Sequence, residues 1–353
     1  MIDRKYFSRQ IALSNLGTRG QAKLARTTAL VVGLGGTGCV ASVLLALSGV
    51  GKLILVDRDI VTLENLHRQP VYSRNDIGKA KAEVCASFIE ERAPPTKVEY
   101  RAQIVDSSNI GELVQSADVA VDCLDNLESR HALNSSCVKE GIPLVHTGAL
   151  GWEGSVAVFR TPDTACLECM LPPGNPDELA RCEEVGVLGA STSTIGSLGA
   201  LEAIKLAAGI VSPLIGKILV IDFLTDEQHA ASVAKRRSCA ACGDGKQKER
   251  DSRLITLCGS GEYYWPNAYG PSEFPLIARS LTRSIPVKRM GDSLILARLG
   301  GSEIALFRRG GVLIRGAGSE EHARTMAMSL LQAGAHTRRR RTARKNLKNR
   351  PSG

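Results

Sequence analysis

Short, continuously apolar runs alternate with helix-period stretches through the first two-thirds of the chain. Ala29-Leu-Val-Val-Gly33 and Leu53-Ile-Leu-Val-Asp57 have the pattern of strands buried on both faces of a parallel sheet. Around them the spacing predicts a helical lead-in over 1–25 and helices near 36–48, about 78–93, 107–116 and 127–140; the second of these stops at Ala93-Pro94-Pro95. Further strands are predicted near 97–104, 117–123 and 142–147. This alternation predicts an α/β fold, a Rossmann-like, doubly wound, mostly parallel sheet with helices on both faces. After Gly151 the pattern changes to Ser155-Val-Ala-Val-Phe159, predicted to be antiparallel. Pro- and Gly-rich residues 171–181 predict a crossing segment spanning about 170–190. A Gly- and Ser/Thr-rich turn over 186–194 then opens a helix over 195–208, and Lys217-Ile-Leu-Val-Ile-Asp222 returns to the sheet.

The pattern resets after residues 243–252, a charged linker. Residues 253–333 read as a separate small α+β domain with a strand over 253–258, a helix over about 271–284, three short strands between 285 and 315, and a helix over about 319–332. Arg308-Arg-Gly-Gly311 marks a hairpin turn within it. A length of 353 residues suits two domains, the first running over 1–245.

Composition changes this picture little: 43% hydrophobic and 23% charged residues are ordinary for a globular protein with a core. Aromatics make up only 4%, which weakens any reading based on stacked nucleic-acid bases. No apolar run approaches the roughly 18–20 residues that span a bilayer, and the polar N-terminus does not resemble a secretory signal, so a cytoplasmic location is expected. The net charge of +9 is local. Residues 338–350 carry eight basic and no acidic residues, which leaves +1 for the rest. Residues 334–353 therefore read as a basic, disordered tail, with contact to nucleic acid or an acidic partner as the second reading.

The chemistry begins where the first strand enters Gly33-Leu-Gly35-Gly36-Thr-Gly38, a G-x-G-x-x-G turn opening a small-residue helix. Asp57 closes the next strand 19 positions after Gly38, at the spacing of a ribose-binding carboxylate. The turn alone permits an NAD-dependent oxidoreductase. Asn65-Leu-His-Arg68-Gln69, Lys81 and Asp125-Asn126 shift the balance, because ligands of open α/β sheets collect at the carboxyl ends of the strands. Two cations and a carboxylate suit a triphosphate, with Arg68 and Lys81 on phosphate oxygens and Asp125 on Mg²⁺. Among ten cysteines, the pairs Cys166-Leu-Glu-Cys169 and Cys239-Ala-Ala-Cys242 have the knuckle spacing of a tetrahedral thiolate site. They predict a structural Zn²⁺ that clips two distant segments together. Cys39, Cys85, Cys123, Cys137 and Cys258 lie among apolar residues and read as core, while His67, His131 and His146 read as polar fillers or contacts.

Together these residues resemble the ubiquitin-activating-enzyme-like superfamily, in particular the bacterial and archaeal ThiF/MoeB/HesA adenylyltransferases. The resemblance runs through about residues 3–245 and rests on Tyr6-Phe-Ser-Arg9-Gln10-Ile11, the glycine turn, Val56-Asp57-Arg-Asp59, Asn65–Gln69, Ile77–Lys81, Leu124-Asp125-Asn126, both cysteine pairs, and Cys182 before Gly186-Val-Leu-Gly189. It implies adenylation, with Mg·ATP, of the C-terminal glycine of a ubiquitin-like β-grasp protein ending in Gly-Gly. Asp57 would hold ribose, Asn65, Arg68 and Lys81 the phosphates, and Asp125 the metal. Arg9 would enter the site of a partner subunit, which implies a homodimer. Cys182 stands where members that carry a thioester or persulfide have their cysteine, which implies a catalytic nucleophile that takes the activated protein as a thioester. The expected pathway is protein modification, with a downstream conjugating enzyme as possible partner of residues 253–333; the alternative is activation of a sulfur carrier for molybdopterin, thiamine or tRNA thiolation.

Overall fold

The computed structural model describes residues 4–93, 95–170, 186–245, 255–256, 262–265, 269, 273–290, 294–308, 311–319 and 321–330. Cys182, most of the crossing segment, Cys258 and the basic tail lie outside the described residues. The chain divides into two compact units, Met1–Ile77 with Lys81–Glu249, and Arg250–Gly353 with Gly78–Ala80.

The first unit begins with two short helices, α1 (Ser8–Ile11) and α2 (Gly17–Leu24). It continues β1 (Thr28–Val32), α3 (Gly36–Leu47), β2 (Lys52–Asp57), α4 (Lys81–Arg92), β3 (Lys97–Ala102), α5 (Ile110–Gln115), β4 (Val119–Asp122) and α6 (Leu127–Glu140). Next come β5 (Leu144–Leu150), β6 (Glu153–Phe159), α7 (Leu167–Met170), α8 (Gly189–Ala208), β7 (Lys217–Asp222) and β8 (Glu227–Ser232). The eight strands form one sheet in the order β3-β2-β1-β4-β5-β6-β7-β8. Strands β1 to β5 pair in parallel, and β6, β7 and β8 extend the sheet antiparallel. The switch point of the doubly wound half therefore falls between β1 and β4.

The uniform hydrophobicity of β1 has a direct cause. Val31 faces one core, shared with α2, α3, α4 and α8, while Leu30 and Val32 face a second core with α5 and α6. Helices α3 and α8 pack closely because glycine removes side chains at their crossing. A Cβ on Gly36 would come within 2.6 Å of Thr192 Oγ1, and one on Gly196 within 2.3 Å of the Thr37 carbonyl oxygen.

This crossing also corrects an expectation. Residues 186–194 read as a turn, yet α8 already begins at Gly189. Packing of Thr192 on Gly36 holds the Ser/Thr-rich segment helical against its local preference, and the Thr194 hydroxyl is absorbed within the helix on the Ala190 carbonyl (2.9 Å). Strand β8 was not predicted, because Glu227-Gln-His-Ala-Ala-Ser232 is exposed throughout and carries no apolar alternation.

The second unit holds β9 (Ile255–Thr256), β10 (Glu262–Trp265), α9 (Phe274–Ser284), β11 (Val287–Met290), β12 (Leu294–Leu299), β13 (Ser302–Phe307), β14 (Val312–Arg315) and α10 over 321–330. Its six strands form an antiparallel sheet ordered β11-β12-β13-β14-β10-β9. Ile277 and Leu281 of α9 join Ala323, Ala327 and Leu330 of α10 and Ile304, Leu306, Val312 and Ile314 of the sheet in one core. The sequence reading missed β10, whose Glu-Tyr-Tyr-Trp is too short to show a period.

The glycine turn tolerates no side chain where the chain crosses itself. A Cβ on Gly38 would stand 1.8 Å from the Gly33 carbonyl oxygen, whereas one on Gly111 in α5 meets nothing within 4 Å. Gly38→Ala is expected to lose about 1–3 kcal/mol or more. Gly111→Ala is expected to be neutral or to gain up to about 1 kcal/mol. Urea denaturation of both variants checks the contrast.

Candidate functional site

The glycine turn is built by the residues around it. Gly33 takes φ +88°, and a Cβ there would meet the Cys123 carbonyl oxygen at 2.4 Å, so the β1 and β4 ends approach through glycine. The Leu34 peptide is then fixed from both sides. Its N–H donates to Asp57 Oδ2 (2.5 Å), and its carbonyl accepts from the Tyr72 hydroxyl (2.8 Å). Gly35 is the N-cap of α3 and supplies no side-chain acceptor, which leaves the N–H groups of the first turn to a ligand.

Asp57 is thus engaged twice: Oδ1 accepts the Asp59 N–H at 2.6 Å, and the group is buried. Burial raises its carboxyl, nearby Lys81 pulls it back, and the net direction is upward. Lys81 opens α4, with its N–H on the Asp59 carbonyl (2.9 Å) and its ammonium Nζ on Asp59 Oδ2 (3.0 Å). Burial works to lower the Lys81 pKa, but Asp59 and Asp57 more than offset it, and the ammonium is held above its usual range. Arg58 extends the network: it is buried, with Nε 3.5 Å from Asp59 Oδ1 and Nη2 3.7 Å from Asp125 Oδ1. Sequence reasoning missed Arg58, Asp59 and Tyr72 as site residues. The signal for the first two was their place in Val56-Asp57-Arg58-Asp59 at a strand end; Tyr72 had none.

The 58–69 segment returns along the turn. Asn65 Oδ1 accepts the Thr62 N–H (3.1 Å), and its carbonyl accepts the Arg68 and Gln69 N–H groups, each at 3.1 Å. Gln69 is buried beside Gly35, and its Oε1 has no hydrogen-bond partner among the described residues. Arg68 is half-buried and donates from Nη1 to the Glu64 carbonyl (2.6 Å). The N-terminus of α8 closes this side, since a Cβ on Gly189 would lie 2.7 Å from the His67 carbonyl oxygen.

Asp125 and Asn126 follow β4. Asn126 N-caps α6, its Oδ1 accepting the Ser129 N–H (2.9 Å). Asp125 is exposed, 3.4 Å from Asn126 Nδ2. The loop hangs from Asp122, which is fully buried and accepts from His146 Nδ1 (2.7 Å) and the Leu124 N–H (3.0 Å), with Arg130 Nε at 3.0 Å. Burial opposes the Asp122 charge, but Arg130 and His146 outweigh it and hold the carboxyl below its usual range. Burial and Arg130 together push His146 down, so its imidazole stays neutral.

Gly33, Gly35, Gly36, Gly38, Asp57, Asn65, Gln69, Lys81, Asp125 and Asn126 accordingly lie at the carboxyl ends of β1, β2 and β4 or on the segments that leave them. Arg9 does not join them. Phe7 and Gln10 of its segment pack at Gly49 and Ser48, with Gln10 Nε2 donating to the Ser48 carbonyl at 2.7 Å. That is the opposite end of α3 from Gly36, about 18 Å away for twelve helical residues.

The cysteine pairs meet as their spacing suggested. The Sγ atoms of Cys166, Cys169, Cys239 and Cys242 all lie within 4.8 Å of one another, with 3.6 Å from Cys166 to Cys239 and 3.4 Å from Cys169 to Cys242. These separations exceed a disulfide bond of about 2.0 Å. They approach the roughly 3.8 Å edge of a tetrahedron with Zn–S bonds of about 2.3 Å. Asn134 Nδ2 at 3.6 Å from Cys166 Sγ and the Arg236 N–H at 3.4 Å from Cys169 Sγ donate to the sulfurs, a surrounding suited to thiolates. The donor set fits zinc.

The ThiF family model matches residues 7–242, which include every one of these elements. The chain belongs to the ThiF family. Among curated proteins it is 37% identical over 261 residues to the adenylyltransferase and sulfurtransferase MOCS3 of Caenorhabditis briggsae, covering 73% of this chain and 65% of that one. MOCS3 of Sus scrofa is 38% identical over 256 residues, covering 72% and 56%. The chain thus spans between about half and two-thirds of these relatives' length. Among solved structures, E. coli MccB crystallised with ATP superposes with a TM-score of 0.58 at 25% identity, covering 64% of this chain and 69% of that one. No helix among the described residues is long and apolar enough to cross a membrane.

The neutral His146 gives this ThiF-family chain a specific acid response. In the unfolded chain the imidazole takes a proton near its ordinary 6.5, whereas the folded value is lower. The unfolded state therefore binds more protons, and stability falls as pH drops below 6.5, by at most about 1.4 kcal/mol per pH unit for this group. Asp122, depressed below 3.8, adds a second loss only at lower pH. His146→Asn is expected to remove the slope between pH 6.5 and 5 while keeping the Asp122 slope below it, as read by urea midpoints across that range.

Proposed function

We propose that the chain adenylates the C-terminal glycine of a small β-grasp protein, either ubiquitin-like or a sulfur carrier, using ATP. The observation that carries the reading is one strand-end constellation: an uncapped α3 N-terminus behind a rigid glycine turn, flanked by charged Lys81 and an exposed Asp125. A nicotinamide ring has no use for that much charge, and a triphosphate does. The adenylyltransferase activity in the relatives' names and the ATP in the MccB crystal point the same way.

In this reading the turn and the α3 N-terminus receive phosphate oxygens, Asn65, Arg68, Gln69 and Lys81 neutralise and orient them, and Asp57 serves the ribose. Asp125 with Asn126 would hold Mg²⁺, which when bound spreads the charge of the triphosphate. The substrate's terminal carboxylate is already ionised and needs no base. Its oxygen attacks the α-phosphorus, the bond from that phosphorus to the bridging oxygen breaks, and pyrophosphate leaves with the electron pair. Arg9 is a helix length from its own glycine turn, so it serves this chemistry from a second copy, which makes the working form a homodimer. The cysteine cluster holds structural zinc.

Two onward routes follow adenylation. If Cys182 is a nucleophile, its thiolate attacks the acyl carbon, AMP leaves, and a thioester commits the product to protein modification, with residues 253–333 recruiting a conjugating enzyme. The sulfurtransferase in the relatives' names favours the other route, release of the adenylate to sulfur-carrier chemistry. Incubation with ATP, Mg²⁺ and β-grasp proteins ending in Gly-Gly, followed by intact-mass spectrometry, separates them. An acyl-adenylate is expected, reduced about 100-fold or more in rate in Lys81→Ala and Asp125→Ala. A thioester that disappears in Cys182→Ala selects modification, and an adenylate without thioester selects the sulfur carrier. No adenylate with any such protein contradicts the proposal.

A further inference from the structure

One buried group that adenylation leaves unused is His146, on β5 directly across from Asp122 of β4 in the parallel register. Both side chains are almost fully buried. Their partners all lead into the Asp125 loop. Asp122 Oδ2 accepts from His146 Nδ1 at 2.7 Å and is ion-paired with Arg130, whose Nε stands 3.0 Å away, while Oδ1 accepts the Leu124 N–H at 3.0 Å. Arg130 then turns its Nη2 onto the Leu124 carbonyl. Both backbone polar groups of Leu124, the residue immediately before Asp125, are therefore satisfied by Asp122 and by the arginine paired with it. Neighbouring Thr147 locks the strand end, its hydroxyl donating to the Asp122 carbonyl at 2.9 Å.

A carboxylate is acceptor-only, so the imidazole must carry its proton on Nδ1. Without that donor, one face of a fully buried carboxylate loses its partner. The remaining side-chain partner, the Arg130 guanidinium, is then free to recentre on Asp122 at the expense of the Leu124 carbonyl.

We infer that His146 is a positioning residue for adenylation: through Asp122 and Arg130 it fixes the Leu124 peptide and so sets where Asp125 stands. The inference rests on the adenylation reading for its catalytic consequence, but the brace itself is testable apart from activity. A 1 Å displacement of a catalytic group can cost 100-fold in rate without changing what binds.

The experiment compares full-length wild type, His146→Leu and His146→Asn, the last keeping an N–H close to the Nδ1 position. Amide hydrogen exchange by mass spectrometry on the peptide covering 123–127 reads the brace. Exchange at Leu124 is expected to quicken about tenfold or more in His146→Leu and to stay near wild type in His146→Asn. ATP–pyrophosphate exchange with a Gly-Gly β-grasp protein reads the consequence. In His146→Leu, kcat is expected to fall 10- to 100-fold with the KM for ATP changed less than about twofold, and His146→Asn to restore most of the loss. Unchanged Leu124 exchange in His146→Leu overturns the brace whatever the activity. Equal damage in both variants, spread over all peptides, overturns it in favour of a general packing role. Quickened Leu124 exchange with wild-type kcat overturns the link to catalysis, and a wild type inactive with every β-grasp protein overturns the adenylation reading alone.

Discussion

The site depends on one buried carboxylate gripping a peptide bond. Asp57 accepts the Leu34 N–H on one oxygen and the Asp59 N–H on the other, tying the glycine turn to the segment that leaves β2. An ionised carboxylate in that environment is costly unless it is paired. The pairing is what brings Lys81 in: its ammonium, bonded to Asp59, is close enough to offset Asp57 as well. Arg58 passes the same charge network on to Asp125. The turn, the first residue of α4 and the loop after β4 are thereby one electrostatic unit, although 92 residues separate Gly33 from Asp125.

A second network repeats the device one strand over. Asp122 ends β4 as Asp57 ends β2, and each accepts a backbone N–H from the loop that follows its own strand. Each is balanced by a side chain delivered by the next helix, Lys81 from α4 and Arg130 from α6. Strand-end carboxylates thus shape the loops here as much as they offer themselves to a ligand. That changes the meaning of Asp57, which the spacing marked only as a ribose group; its two backbone hydrogen bonds make it first a cap for the turn.

Much of this was legible in the sequence, for physical reasons that also explain what was not. Continuous burial on two faces made β1 and β2 visible as apolar runs, and steric exclusion at Gly33 and Gly38 left a fixed spacing. The cysteine pairs were legible because metal geometry restricts their spacing within each knuckle. Arg58, Asp59, Tyr72, Asp122 and Arg130 were not, because a charge or hydroxyl earns its role from a partner distant in the chain. His146 read as a polar filler for the same reason. Strand β8 lacks burial and therefore pattern, and the start of α8 is decided by the fit of Thr192 on Gly36 rather than by its own residues.

On the proposed function, this charged strand-end unit is built for a nucleoside triphosphate and not for a dinucleotide. Calorimetric titration of the full-length protein with Mg·ATP and, separately, with NAD tests it most directly. Saturable binding of Mg·ATP that is lost in Lys81→Ala is expected, with no measurable heat from NAD. Saturable NAD binding without a response to Mg·ATP would contradict it.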